Sequence, residues 1–212
     1  MGRVVSAPSA ISRLGILGGT FDPPHYGHLV LAENARTQLS LDRVFFVLAG
    51  QPPHKPSRPI AASHHRLEMV EAAISDNEFF ATSRVDLDRP GPHYTVDMLA
   101  LLHEEYPRAE LYFLMGGDSL AEFPHWWNAP GILDQTMLAV MPRPGDYPDL
   151  AALDRVLPGI RKRVAWLDVP YLDIASTELR RRVHEGLSLR YMVPPAVERY
   201  VREHELYAGE AA

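Results

Sequence analysis

The chain has 212 residues, of which 46 % are hydrophobic and 23 % are charged, as in an ordinary globular domain. Its formal net charge of −6 argues against a broad nucleic-acid or membrane-binding surface, so any anion site must be local. The lack of cysteine excludes disulfides, thiolate catalysis and cysteine-ligated zinc.

Strand and helix patterns alternate along the chain. Continuous apolar runs, which are typical of buried parallel strands, predict strands at residues 14–17, 44–48, 79–85, 111–115, 137–141 and 163–169. Helical spacing of apolar residues predicts helices at residues 29–35, 61–75, 96–106, 177–185 and 196–205. The alternation indicates an α/β fold of one domain with a doubly wound parallel sheet, in which ligands bind beyond the carboxyl ends of the strands.

Apolar runs and the N-terminal segment bear on where the protein is located in the cell. No apolar run approaches the length of a membrane span, and residues 1–12 lack the apolar core of a signal peptide. We therefore expect a cytoplasmic protein without membrane or nucleic-acid partners. Residues 1–12 are predicted to form a disordered lead-in, and residues 13–208 the domain.

The segment between the first predicted strand and the first predicted helix carries the strongest signal. Residues 18–28 read Gly-Gly-Thr-Phe-Asp-Pro-Pro-His-Tyr-Gly-His. Small residues at such a turn let backbone N–H groups approach a phosphate closely, and His25 and His28 share one helix face. A helix N-terminus disfavours an imidazolium unless an anion is bound, and a triphosphate would make both histidines donors. Backbone-bonded histidines and a zinc site are the alternatives, but zinc has no obvious third ligand, so no metal ligand is predicted.

Two other polar segments also follow predicted strands. Gly116 and Asp118 come after the strand at 111–115, where Asp118 either caps the next helix or contacts a ligand. Residues 174–180 read Ile-Ala-Ser-Thr-Glu-Leu-Arg, with Ser176 or Thr177 as a plausible N-cap. Arginines at 180–182 oppose the helix dipole, so they either point into solvent or at least one of them binds polyphosphate.

These motifs resemble those of known enzymes. The block at 18–28 resembles the (T/S)-F-D-P-x-H-x-G-H signature of the nucleotidyltransferase superfamily, which has a Rossmann-like fold. Residues 174–180 resemble its I-S-S-T-x-x-R motif, with Ala175 where a serine is usual. Residues 92–95 and 123–126 resemble the Y-T and F-P-x-W elements of bacterial nicotinate mononucleotide adenylyltransferases. Trp126 fits the second element, whereas Trp127 does not and is expected in the core.

The resemblance implies adenylyl transfer from ATP to nicotinate mononucleotide, with Mg²⁺ accompanying ATP. It implies catalytic roles for His25, His28 and Arg180. The ATP contacts that it implies are Gly18, Gly19, Thr20, Phe21, Gly116, Asp118, Ile174, Ser176 and Thr177. The mononucleotide contacts that it implies are Thr95, Trp126 and Lys55. Lys55 lies on the proline-rich loop 51–59, which is either a flap that closes over the departing pyrophosphate or a solvated basic loop.

Other functions are kept open. The acceptor could be nicotinamide mononucleotide or phosphopantetheine, and the segments around Tyr94 and Trp126 argue against the latter. A regulator that binds nucleotide without catalysis would be expected to have lost a histidine or Arg180, and both histidines and Arg180 are present. The oligomeric state stays open, a homo-oligomer included.

Overall fold

A computed structural model describes residues 11–50, 60–142, 145 and 147–209 of the chain. The strands are β1 (Arg13–Gly19), β2 (Arg43–Leu48), β3 (Phe80–Ser83), β4 (Glu110–Gly116), β5 (Met137–Met141) and β6 (Val164–Trp166). The α-helices are α1 (Tyr26–Gln38), α2 (Ser63–Ile74), α3 (Thr95–Glu105), α4 (Gly117–Glu122), α5 (Ala129–Gln135), α6 (Leu150–Val156), α7 (Ser176–His184) and α8 (Pro195–Glu203). Short 3₁₀ turns occupy Phe123–His125 and Ile160–Lys162.

The strands form one parallel sheet in the order β3-β2-β1-β4-β5-β6. The predicted doubly wound α/β fold is thus confirmed, and each of the six predicted strands is present, although β3 and β6 are shorter than predicted. The chain runs outward from β1 to β3 and then crosses back to β4, so the direction of winding reverses between β1 and β4. In open parallel sheets this reversal opens a crevice at the carboxyl ends of the strands, where ligands bind.

Helices cover both faces of the sheet, which explains the continuous apolar runs in its strands. On one face Leu17 packs with buried residues of α1, α2, α7 and α8. On the other face Leu14 and Ile16 pack with buried residues of α3, α4 and α5. Adjacent β1 residues therefore enter different cores, as the two-residue period of a strand requires. Among the described residues, no helix is both long and apolar enough to cross a lipid bilayer.

Three helices were not predicted, because each has only six or seven residues and is too short to show a helical period. Local caps define two of them. The Asn128 side chain accepts from the Gly131 N–H at the start of α5, and Asp149 accepts from two backbone N–H groups at the start of α6. α1 begins at Tyr26, three residues earlier than predicted, so its first turn contains the second histidine of the motif.

Candidate active site

Two cavities open at the carboxyl ends of the strands, beside the crevice between β1 and β4. One has a volume of about 300 Å³ and a polar lining, and the other has a volume of about 290 Å³ and an aromatic lining. Thr20, directly after β1, lines both. The two cavities meet at Thr20 and together form one elongated space.

The polar cavity brings together the two motifs that the sequence analysis placed far apart. Its lining residues are Thr20, Phe21, Asp22, His25, His28, Ile60, Ala175, Ser176, Thr177 and Arg180. Two hydrogen bonds join the motifs directly. The Ser176 hydroxyl donates to the Pro23 carbonyl at 2.8 Å, and Arg180 Nη1 donates to the Asp22 carbonyl at 2.7 Å. The N-termini of α1 and α7 therefore face one polar space, an arrangement suited to anions.

His25 and His28 lie at the start of α1 with their rings stacked, 3.8 Å apart between centroids. The His25 N–H donates to His28 Nδ1 at 3.2 Å, so a neutral His28 ring carries its proton on Nε2. Phe21, which has a left-handed φ of 49°, packs its ring edge-on against His28 at 5.0 Å. A Cβ on Gly27 would lie only 3.0 Å from His25 Nδ1, so glycine leaves room for that ring.

Burial favours the neutral forms of both imidazoles. It lowers the pKa of His25 to about 4, and His25 Nδ1 has no hydrogen-bond partner among the described residues. Burial and the neighbouring His25 also hold the pKa of His28 well below its usual value. A bound polyphosphate would favour the charged form of His25 and give its Nδ1 a partner.

We expect acid to destabilise the protein through His25. The unfolded chain takes up this proton below pH 6.5, whereas the folded chain takes it up only near pH 4. The unfolded chain therefore binds this proton more tightly than the folded chain does. The free energy of unfolding falls as the pH is lowered from 6.5 to 4 and does not depend on the ionisation of His25 above about pH 7. The loss amounts to roughly 3 kcal/mol, at about 1.4 kcal/mol per tenfold change in proton affinity. Urea unfolding at pH 7.5, 5.5 and 4.5 measures it, and His25→Asn should flatten the slope. An unchanged slope in that variant would contradict the assignment.

The structure separates the three consecutive arginines. Arg180 lines the polar cavity with its side chain 18 % exposed, and Nη1 lies 3.6 Å from Asp22 Oδ2. Arg181 instead pairs with two glutamates of its own helix, and Arg182 donates to the Ser188 carbonyl. Arg180 is thus the member of the run that faces the site.

Neither of the caps that the sequence analysis offered, Asp118 for α4 and Ser176 or Thr177 for α7, is the N-cap of its helix. Tyr94, Gly116 and Ala175 are the N-caps of α3, α4 and α7, and none of them makes a side-chain cap hydrogen bond. Thr95, Asp118 and Ser176 lie inside the first turns. Each helix therefore begins at least one residue earlier than its polar side chains suggested. At α7 this leaves the Ser176 hydroxyl to join the two halves of the cavity.

Arg66 on α2 is a buried residue that the sequence analysis missed. It is 1 % exposed and donates to four backbone carbonyls, those of Thr20, Ala49, Gly50 and Ala61. Burial lowers its pKa, while the charges of nearby acidic groups oppose that change. One guanidinium therefore connects the turn after β1 with Ala49, Gly50 and Ala61.

The aromatic cavity lies on the other side of Thr20. Its lining residues are Gly18, Gly19, Thr20, Val47, Ala49, Asp86, His93, Tyr94, Thr95, Met98, Phe113, Trp126, Trp127 and Ile132. Trp126 packs edge-on against Phe113 at 5.9 Å. Trp127, expected in the core, is 64 % exposed and stacks on Tyr94 at 5.2 Å. The cavity thus offers flat rings to an aromatic ligand.

An ion pair shapes the loop that lines this cavity. Asp86 is buried and accepts from Arg89 Nη2 at 2.7 Å, and Arg89 also donates to the carbonyls of Pro92 and Tyr94. Burial raises the pKa of Asp86, and the bonds and charge of Arg89 oppose that rise. The pair fixes the backbone on either side of His93, ahead of Thr95.

Several predicted contacts lie elsewhere. Gly116 ends β4 and Asp118 lies exposed in the first turn of α4, and neither lines the two cavities. Ile174 packs against the core on the α1 side. Gly18 and Gly19 line the aromatic cavity rather than the polar one. Lys55 and the rest of the 51–59 loop are outside the described residues.

The described residues of the site do not form a set of metal ligands. Within the described ranges, no group of three or more histidine, aspartate or glutamate side chains is arranged to hold a metal ion. Asp22 Oδ2, a buried oxygen that accepts no hydrogen bond from the described residues, faces the Arg180 cation at 3.6 Å. The polar cavity therefore presents mainly donors, as an anion requires.

Comparison with known proteins agrees with this arrangement. Residues 16–182 match the family model described as cytidylyltransferase-like. A protein of Thermomicrobium roseum named probable nicotinate-nucleotide adenylyltransferase is 51 % identical over 197 residues, which cover 93 % of this chain and 92 % of that protein. A protein of Roseiflexus sp. with the same name is 46 % identical over 194 residues, covering 92 % and 97 %.

A solved structure shares the fold at lower identity. Plasmodium falciparum nicotinic acid mononucleotide adenylyltransferase complexed with NaAD has a TM-score of 0.77 at 19 % identity, covering 94 % of this chain and 98 % of its own. The same enzyme complexed with APC gives 0.76. On the family model and the close relatives, this chain belongs to the nicotinate-nucleotide adenylyltransferase family, within the cytidylyltransferase-like proteins.

Proposed function

We propose that this protein transfers the adenylyl group of ATP to nicotinate mononucleotide, giving nicotinate adenine dinucleotide and pyrophosphate in NAD biosynthesis. The observation that carries the proposal is the pair of cavities that meet at Thr20, one polar and one aromatic. ATP and the mononucleotide would occupy one cavity each, so that the α-phosphate and the attacking phosphate come together at the turn after β1. Relatives 51 % and 46 % identical carry the corresponding name.

The reaction needs positioning and charge stabilisation rather than a covalent intermediate. The attacking phosphate is already ionised at neutral pH, so it must only be held in line with the α-phosphate. His28 would donate through Nε2, since its Nδ1 already accepts from the backbone. His25 would donate once the polyphosphate charges its ring, and Arg180 would bind the β- and γ-phosphates. We assign these three residues the catalytic roles.

Magnesium is proposed to accompany ATP. Because the described residues gather no carboxylate and histidine ligand group, phosphate oxygens and water would supply its coordination. When bound, the ion neutralises charge on the polyphosphate. The polar groups of the cavity, on Thr20 and at the starts of α1 and α7, would orient the nucleotide.

Trp126 is proposed to pack on the pyridine ring, with Thr95 beside it. We expect Trp126→Ala to raise the KM for nicotinate mononucleotide at least about fivefold, since an aromatic pair contributes about 1 kcal/mol beyond its buried area. The KM for ATP should stay unchanged. Trp166→Ala is the matched control, because Trp166 packs against the same core cluster but outside the cavity. Equal changes in both KM values for Trp126→Ala would argue for a general folding defect instead.

Pyrophosphate release with Mg-ATP tests the proposed acceptor. Nicotinate mononucleotide, nicotinamide mononucleotide and phosphopantetheine are compared in parallel. Release that depends on the nicotinate compound is the expected result. Preference for the amide would keep the mechanism and change the substrate. If none of the three compounds causes pyrophosphate release although ATP binds measurably, the proposed enzymatic activity is refuted and a nucleotide-binding regulator is favoured.

Three further assignments remain proposals. Lys55 would approach the departing pyrophosphate, and the ATP contacts at Gly116, Asp118 and Ile174 are carried over from the motif resemblance alone. A cytoplasmic location is expected from the proposed place in NAD biosynthesis.

A further inference from the structure

The chain beyond α8 turns back toward the polar cavity. Glu205 and Tyr207 have left-handed backbone conformations with φ of 49° and 66°, which L-residues adopt at an energetic cost. The Leu206 N–H donates to the Val201 carbonyl and closes the turn onto the end of the helix. Leu206 and Tyr207 pack against the core cluster on the α1 side of the sheet. The strained turn thus directs the Tyr207 ring into the protein.

The Tyr207 hydroxyl contacts Asp22 in the wall of the cavity. It donates to Asp22 Oδ1 at 2.7 Å, and the Ala61 N–H donates to the same oxygen at 3.3 Å. Burial, together with the negative charge of Asp22, raises the pKa of Tyr207 far above its usual value, so the phenol remains a donor. Because Asp22 is 1 % exposed, these two donors set the rotation of its carboxylate.

The other carboxylate oxygen faces Arg180. Asp22 Oδ2 has no hydrogen-bond partner among the described residues and lies 3.6 Å from Arg180 Nη1. The same Nη1 donates to the Asp22 carbonyl at 2.7 Å. Besides a 3.4 Å bond from Nη2 to the Thr177 hydroxyl, the guanidinium is held by Asp22, whose carboxylate is in turn oriented by Tyr207.

We propose that Tyr207 is a positioning residue for the polyphosphate of ATP, acting through Asp22 on Arg180. The inference rests on the proposed function, since it extends the role given there to Arg180. Without the Tyr207 hydroxyl, the Asp22 carboxylate can rotate and form a two-oxygen pair with Arg180, the geometry that these groups favour. Such a pair would draw the guanidinium away from the phosphates and weaken ATP binding.

Calorimetric titration with Mg-ATP alone tests the proposal. Tyr207→Phe removes the hydroxyl and keeps the ring, and the Kd for ATP should rise about five- to tenfold, as for loss of one oriented hydrogen bond. Tyr200→Phe is the matched control on α8. Its hydroxyl donates to the exposed Glu68 at 2.9 Å, away from the cavity lining, so its loss should leave the Kd unchanged.

A double-mutant cycle distinguishes positioning from a structural defect. In an Arg180→Met background, Tyr207→Phe should cause no further loss of ATP affinity, because Arg180 is the group through which it acts. An equal loss in both backgrounds overturns the proposal, as does an unchanged Kd in the otherwise native protein. A protein that binds ATP but releases no pyrophosphate would refute the proposed function, while the cycle would still decide the role of Tyr207.

Discussion

Replacing His28 with alanine is expected to lower kcat for pyrophosphate release by about 10²- to 10³-fold, the usual effect of removing one oriented donor from a developing charge. The backbone bond to Nδ1 leaves Nε2–H as the donor, and the stacked His25 ring restricts its direction. Loss of the ring removes a donor that needs no reorganisation during the reaction. Single-turnover kinetics with saturating Mg-ATP and nicotinate mononucleotide measure the chemical step directly.

His64→Ala is the control for this experiment. His64 is an exposed histidine on α2, so its removal should change kcat less than twofold. Retention of kcat within tenfold in His28→Ala would exclude the assigned role. Circular dichroism and the KM for the mononucleotide, whose cavity His28 does not line, confirm that the variant is folded.

Replacing Arg66 with leucine is expected to lower the free energy of unfolding by about 3–5 kcal/mol. Four carbonyl oxygens lose their shared donor in a buried environment, and leucine supplies no hydrogen bond in return. Arg66→Lys should recover only part of the loss, because an ammonium lacks the fork of a guanidinium. Urea unfolding at pH 7.5 gives the values.

Arg36→Met provides the comparison. Arg36 pairs with Glu33 at 2.6 Å on a partly exposed helix face, where such a pair contributes less than about 1 kcal/mol. If the free energy of unfolding falls by a similar amount in the Arg36 and Arg66 variants, the buried hydrogen bonds of Arg66 add little to stability. A large loss confined to Arg66 would establish it as the main polar support of the turn after β1.

The architecture could be predicted because its strands are buried on both faces. Runs such as 44–48 and 111–115 are continuously apolar, and the glycine-rich turn marks the first crossover. The helices α4, α5 and α6 were not predictable from periodicity, since local caps such as Asn128 and Asp149 determine them. Helix starts were misjudged where a serine or threonine cap was expected but the backbone turned earlier.

The site was only partly predictable. Motif register singled out Arg180, and the structure places this arginine, rather than its two neighbours, in the lining of the polar cavity. The burial of Arg66 had no signal in the sequence, because a single arginine in an amphipathic helix is normally exposed. Only the carbonyl groups around its side chain explain why it is buried. Trp127 was expected in the core because large aromatics usually are, yet it is exposed beside Tyr94. The burial of Arg66 and the exposure of Trp127 depend on contacts between segments that are distant in the sequence.

The contact between Tyr207 and Asp22 spans 185 residues of sequence. On the ribosome, where chains grow by about 5–20 residues per second, roughly 10 to 40 s separate the synthesis of these two residues. During that interval a nascent chain contains the complete glycine and histidine motif, but the carboxylate of Asp22 lacks its phenol partner. Completion of this contact therefore requires synthesis to reach Tyr207, and chains truncated before that residue carry the motif without it.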